Sequence, residues 1–194
     1  NITEKILARA SGESSLSPDD VVFAKVDKVM VHDVSGPGVL KVFDKLQKQG
    51  IDTSKLHDST KVWIAEDHFV PSAEKISAEN IVKLSNFSKQ YDIKKHFKYG
   101  MGQYGICHTL SHEEALVNPG EVYVGGDSHT NTTGGLGAFA CGLGHTDVAY
   151  VLLNGEIWFK VPETYYFKLN GELPSHVMAK DFILKIIGDI GNDG

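Results

Sequence analysis

The sequence predicts an α/β layered fold with a mostly parallel sheet. Two observations lead there. Short runs rich in Val and Ile alternate with stretches of helical periodicity, the pattern of strands joined by helical crossovers. Composition adds support: 41% hydrophobic and 23% charged residues over 194 positions match globular averages, and the length suffices to bury a sizeable core. A single domain over 1–194 is expected.

The opening Asn1-Ile2-Thr3-Glu4-Lys5-Ile6 reads as a capped amphipathic helix. It lacks the basic segment and longer apolar run of a signal peptide, so a cytoplasmic location is expected. Val21 to Val26 and Lys61 to Ala65 read as strands. Pro71 and Ser72 open a helix to about Tyr91, with Ile76, Ile81, Leu84 and Phe87 near helical spacing. His96 to Tyr99 is a further short strand. Glu121 to Val124 is another, and it runs straight into Gly125-Gly126-Asp127-Ser128-His129-Thr130. Gly137 to Asn154 reads as a buried helix despite its glycines. Tyr165 to Leu169 reads as a strand, and Ala179 to Ile190 as an amphipathic helix with Phe182, Ile183, Ile186 and Ile187 inward.

The formal charge of -6, with no Lys/Arg cluster, excludes an electrostatic footprint for nucleic acid or anionic membranes. The longest apolar run, Val148 to Leu153, is far short of the roughly 20 residues of a membrane span. Cys107 and Cys141 form no Cys-x-x-Cys pair and read as small buried hydrophobes.

Four histidines sit where a strand or loop meets small, turn-prone residues: His32-Asp33, Asp67-His68, His108, and Asp127-Ser128-His129. Strand ends of open α/β sheets are where ligands bind. A carboxylate beside an imidazole fixes its tautomer and raises its pKa, which suits a proton donor to a leaving hydroxyl near neutral pH. His57, His96, His112, His145 and His176 read as structural histidines. Gly134-Gly135-Leu136-Gly137 could turn backbone N–H groups toward an anion, but it lacks the order of a dinucleotide motif. No metal ligands are assigned in this chain.

Gly126-Asp127-Ser128-His129-Thr130 before the Gly-rich stretch resembles the aconitase superfamily signature. So do Asp67-His68 with Val70-Pro71, Gly105-Ile106-Cys107-His108, and Gly155-Glu156-Ile157-Trp158-Phe159-Lys160-Val161-Pro162. The opening Thr3-Glu4-Lys5-Ile6-Leu7-Ala8 is similar to the start of isopropylmalate isomerase and homoaconitase large subunits, so the resemblance spans the chain. It implies a three-layer aconitase-type N-terminal domain, part of a longer large subunit. The implied activity is a hydro-lyase that isomerises a hydroxy di- or tricarboxylate on a 4Fe-4S cluster, with a separate small subunit as partner. The implied substrate is 3-isopropylmalate/2-isopropylmalate, with homoaconitate, citrate and dimethylmalate as alternatives; a cluster-free carboxylate-binding module is the rival class.

By the same resemblance, Asp67 and His68 protonate the departing hydroxyl. His108, Asp127 and His129 hydrogen-bond water and substrate oxygens, and Ser128 holds a substrate carboxylate. The cluster ligands, the catalytic serine and the carboxylate-clamping arginines have no match in this chain, whose one arginine is Arg9. No bound cluster is therefore expected on these residues. An Asn three residues beyond the signature His is replaced by Thr132, which favours the isopropylmalate branch. Gly38 stands where the isomerases often carry Gln, and no role is transferred to the Val34-Ser35-Gly36-Pro37 loop.

Overall fold

A computed structural model describes residues 1–191. They divide into a main unit, Asn1–Glu163, and a short unit from Thr164 onward. The main unit is built on a five-stranded, wholly parallel sheet: β2 (Lys28–His32), β3 (Val62–Ala65), β4 (Lys95–Phe97), β5 (Val122–Gly125) and β6 (Phe139–Gly142), in the order β4-β3-β2-β5-β6. The expected α/β fold with helix-flanked parallel strands is the one observed. A separate antiparallel ribbon pairs β1 (Val21–Lys25) with β7 (Glu156–Lys160).

Helices α1 (Ile2–Ser11), α2 (Ser35–Lys48), α3 (Lys75–Gln90), α4 (Cys107–Glu113) and α5 (His145–Asn154) complete the unit. α1 carries the predicted cap, in which the Asn1 side chain accepts from Glu4 N at 3.0 Å. Strand alternation divides the sheet's side chains between two cores. Val29, Val31, Val62, Ile64, Val122 and Val124 join Leu7, Val39, Leu84, Phe87 and Val148 in the larger one. Met30, Trp63, Ala65 and Tyr123 point to the opposite face, against Phe97, Cys107 and Leu110. Removing such apolar surface from water is worth about 25 cal/mol per Å², which is why the strands are so fully buried.

The strand order places the topological switch point between β2 and β5, since the chain winds outward from β2 to β3 and β4 and then crosses back to β5 on its other side. Ligands of open α/β sheets bind at the carboxyl ends of the strands beside such a point.

Several expectations need correction. The helix expected over Gly137 to Asn154 is two elements: Phe139–Gly142 is a strand paired with β5, and the helix starts only at His145. Pairing satisfies the backbone of this stretch, where glycine disfavours a helix. Its glycine is also required: a Cβ on Gly142 would lie 2.4 Å from the Asp127 carbonyl oxygen. Tyr165 to Leu169 forms no strand; a strand exists through its hydrogen-bonded neighbour, and the described residues of the short unit offer none. The predicted strand Val21 to Val26 exists, as Val21–Lys25, but in the ribbon. The sheet strand is the next run, Lys28–His32. The helix expected from Pro71 begins at Lys75, and Ile76 is exposed on it while Leu84 and Phe87 are buried.

In the short unit, α6 (Ala179–Ile190) confirms the predicted helix, but none of its residues is buried, including Phe182, Ile183, Ile186 and Ile187. No helix among the described residues is long and apolar enough to cross a membrane.

Candidate active site

The carboxyl ends of β2, β3 and β5 bring three sequence motifs together. His32 is the last residue of β2, with Asp33 next; Asp67-His68 follows β3 by one residue; Asp127-Ser128-His129 follows β5. His108 comes from the first turn of α4. Close approach of β5's end to α2 depends on Gly126, where a Cβ would lie 2.5 Å from Ser35 Cβ.

Asp127 is the hub. Its Oδ1 accepts from His129 N at 2.7 Å and faces His108 Nε2 at 2.8 Å. Its Oδ2 faces His32 Nε2 at 3.3 Å and His68 Nε2 at 3.5 Å. Burial opposes its charge, but the His129 N–H and the surrounding imidazoles outweigh that and lower its carboxyl pKa to about 2.

Asp67 and His68 form a tight pair, with His68 Nδ1 at 2.6 Å from Asp67 Oδ1. Asp67 is fixed from behind by the backbone N–H of Cys107 at 2.7 Å. Burial works against both charges. In Asp67 the Cys107 and His68 contacts overcome it and lower the pKa, and in His68 the Asp67 contact, with Asp33 and Asp127 beyond, raises the pKa above the ordinary 6.5. The His68 side chain remains 38% exposed, so its proton can reach a bound molecule. His129 and Ser128 are exposed on the same rim, with Ser128 Oγ 3.3 Å from His129 Nδ1.

The six residues singled out as candidate catalytic or binding groups thus gather at the carboxyl ends of β3 and β5. His96 behaves as the structural histidine expected, its Nε2 buried at 2.9 Å from Glu66 Oε1. His57 and His145 pack against Gly155 and Gly38, where a Cβ would lie within 2.5 Å of their rings. His112 turns back onto the His108 carbonyl at 2.7 Å. Arg9 belongs elsewhere, donating to Asp27 and to the Gly120 carbonyl ahead of β2 and β5.

Sequence reasoning assigned no role to His32 and Asp33, yet both lie in the centre. His32 stacks on His68 with ring centroids 4.4 Å apart. Asp33 accepts the backbone N–H of Asp67, His68 and Phe69. The adjacency of imidazole and carboxylate before the turn-prone Val34-Ser35-Gly36-Pro37 was the signal.

His108, Asp127 and His129, and likewise His32, Asp33 and His68, place donor atoms within 4.8 Å of one another. In the second set, Asp33 and His32 Nδ1 are already occupied by backbone N–H groups, so it is a hydrogen-bond network before it is a ligand set. A 4Fe-4S cluster requires thiolates, and the donors here do not fit one. Burial drives the Cys107 thiol pKa far up, with Asp67 adding to it, and burial raises Cys141 as well.

Fold and site together define an α/β domain with a cluster of imidazoles and carboxylates at the switch point of a parallel sheet. The chain belongs to the aconitase family (aconitate hydratase), which it matches over residues 4–194. It is 45% identical over 193 residues to the 3-isopropylmalate dehydratase large subunit of Heliobacterium modesticaldum, covering all of this chain and 44% of that protein. It is 44% identical to 3-isopropylmalate dehydratase large subunit 1 of Methanopyrus kandleri, with the same coverage. It is also 44% identical to the large subunit from Aquifex aeolicus, covering 43% of it. The chain thus spans less than half the length of the curated relatives it matches.

Proposed function

We propose that this chain is the N-terminal portion of a hydro-lyase large subunit that interconverts 3-isopropylmalate and 2-isopropylmalate by dehydration and rehydration. The observation that carries this reading is the open His68 imidazole, paired with Asp67, which raises its pKa, and facing the Asp127 hub. A raised pKa on an accessible imidazole is the equipment of a general acid near neutral pH. In this reading His68 gives its proton to the departing hydroxyl and regains it on rehydration, while Asp67 keeps Nδ1 protonated and directs Nε2 into the crevice. His108, Asp127 and His129 orient water and substrate oxygens, and Ser128 offers its hydroxyl to a substrate carboxylate.

The family's 4Fe-4S cluster would supply Lewis acidity toward the substrate hydroxyl. Its ligands would lie beyond this chain, in keeping with its sharing less than half the length of its relatives. The small subunit implied by the name "large subunit", a small hydroxycarboxylate substrate and a cytoplasmic setting belong to the same proposal. The substrate follows the relatives at 44–45% identity and the Thr132 departure from the aconitase pattern.

The test is turnover of 3-isopropylmalate, citrate, homoaconitate and dimethylmalate by the complete complex. Preferential turnover of 3-isopropylmalate is expected. Preference for another of these acids would overturn the substrate, and turnover of none would overturn the hydro-lyase reading.

A further inference from the structure

Beside the site lie buried groups that the proton-donor reading leaves unused, His32 and Asp33, whose side chains are 2% and 0% exposed. Neither residue touches open solvent, so neither is placed to meet a substrate. Both touch what does.

Asp33 collects three backbone donors from one loop. Its Oδ1 accepts from His68 N at 3.1 Å and from Asp67 N at 3.4 Å, and its Oδ2 from Phe69 N at 2.6 Å. Consecutive N–H groups gathered on a buried carboxylate fix the path of the chain that bears Asp67 and His68. Charge-assisted bonds of this kind are roughly twice as strong as neutral ones.

His32 is fixed by the start of α2. The first N–H groups of a helix have no intrahelical acceptor, and α2 has no side-chain cap from its own N-cap residue, Val34. Instead, Val34 N and Ser35 N both donate to His32 Nδ1, at 3.0 and 3.1 Å. A nitrogen that accepts two N–H groups cannot carry a proton. The ring is therefore neutral with its hydrogen on Nε2, which faces Asp127 Oδ2 at 3.3 Å. Burial and the neighbouring His68 also disfavour a charge on this ring. A neutral ring can lie flat against His68, at 4.4 Å and 21° between planes, without like-charge repulsion between the two rings.

We propose that His32 and Asp33 form the positioning unit of this site: Asp33 fastens the Asp67–Phe69 backbone, and His32 is a fixed-tautomer platform that sets the plane of the His68 ring and the orientation of Asp127. They are positioning residues and not catalytic ones. The proposal rests on the reading of His68 as proton donor, but its geometric claims are measurable without turnover.

The experiment uses the complete protein labelled with 15N-histidine, together with His32→Asn and Asp33→Asn. Ring 15N shifts of the unmodified protein should show His32 protonated at Nε2; a proton on Nδ1 overturns the platform. His32→Asn keeps an acceptor where Nδ1 lies and removes ring and Nε2–H. Exchange of the Val34 and Ser35 amides should stay slow, while kcat falls about 10-fold with KM little changed, the signature of lost orientation. Unaltered kcat would overturn the role. In Asp33→Asn the side-chain NH2 confronts a backbone N–H, and amide exchange at His68 and Phe69 should accelerate about 10-fold or more while β3 and β5 keep their protection. Unchanged exchange there overturns the fastening role. Failure of these readings would overturn the positioning unit alone, whereas failure of the hydro-lyase reading would appear as absent turnover in the unmodified complex.

Discussion

Glu66 and Asp67 are neighbours at the end of β3, and each pairs with an imidazole, yet the two pairs live in different surroundings. Glu66 meets His96 of β4 at 2.9 Å, both side chains are 4% exposed, and Glu66 Oε2 also accepts Tyr99 N. Asp67 meets His68 at 2.6 Å, but the ring is 38% exposed and a second carboxylate, Asp127, waits at its far nitrogen. The first pair is closed, with every reachable partner inside the fold. The second is open on one side. Chemistry needs that opening, because an imidazole transfers a proton only to something that can approach it.

Exchanging the fates of the two histidines is the most direct way to break this contrast. His68→Ala in the complete, cluster-loaded enzyme should lower turnover on the order of 100-fold or more, the scale of a lost general acid, with the unfolding midpoint almost unmoved. Near-normal turnover would refute the role. His96→Ala should do the reverse: stability falls by ~3 kcal/mol, because Glu66 is left buried with its imidazole partner gone, while turnover per folded molecule stays within about 2-fold of the parent. A denaturation curve and an activity assay on the same samples decide both. If His96→Ala cost activity without stability, the distinction between closed and open pairs would fail.

The contrast also shows what the sequence made legible. Asp67-His68 and Asp127-Ser128-His129 announced themselves by following Val- and Ile-rich strands, and β3 and β5 were found at those places. The helix cap at Asn1 was equally local. What was not legible depended on long-range placement. β2 was passed over for the adjacent run at Val21, since both look alike until the strand order puts one at the sheet's centre and the other in a ribbon. With β2 missed, His32 had no strand end to occupy, and the stretch after it read as a loop although it begins α2. β6 was hidden by Gly142 and the glycines around it; the close approach of Asp127's backbone requires Gly142 itself.

A smaller effect sharpens the open pair. Burial lowers the pKa of His68, and it is the Asp67 hydrogen bond and charge that raise it above 6.5. With His68 as the proposed proton donor, turnover should fall as pH rises through that raised value. In Asp67→Asn, burial remains and its counterweight is gone, and the alkaline limb of the kcat profile should move to lower pH. An unmoved limb would mean that another group limits the reaction. Stability follows the same sign: the contribution of His68 is complete below 6.5 and is lost as pH rises through the folded value.

The smallest effect concerns Asp127, whose carboxyl titrates in the opposite direction. Its pKa falls from the ordinary 3.8 to about 2, so its contribution to stability is present above 3.8 and is lost as pH falls through about 2. One proton bounds the slope at about 1.4 kcal/mol per pH unit. Asp127→Asn abolishes that contribution, and stability of the variant should therefore fall less steeply with acid than that of the parent between those two values. Parallel acid-unfolding curves would show that the His129 N–H and the imidazoles around Asp127 do not hold its charge, and the hub would then be a matter of packing alone.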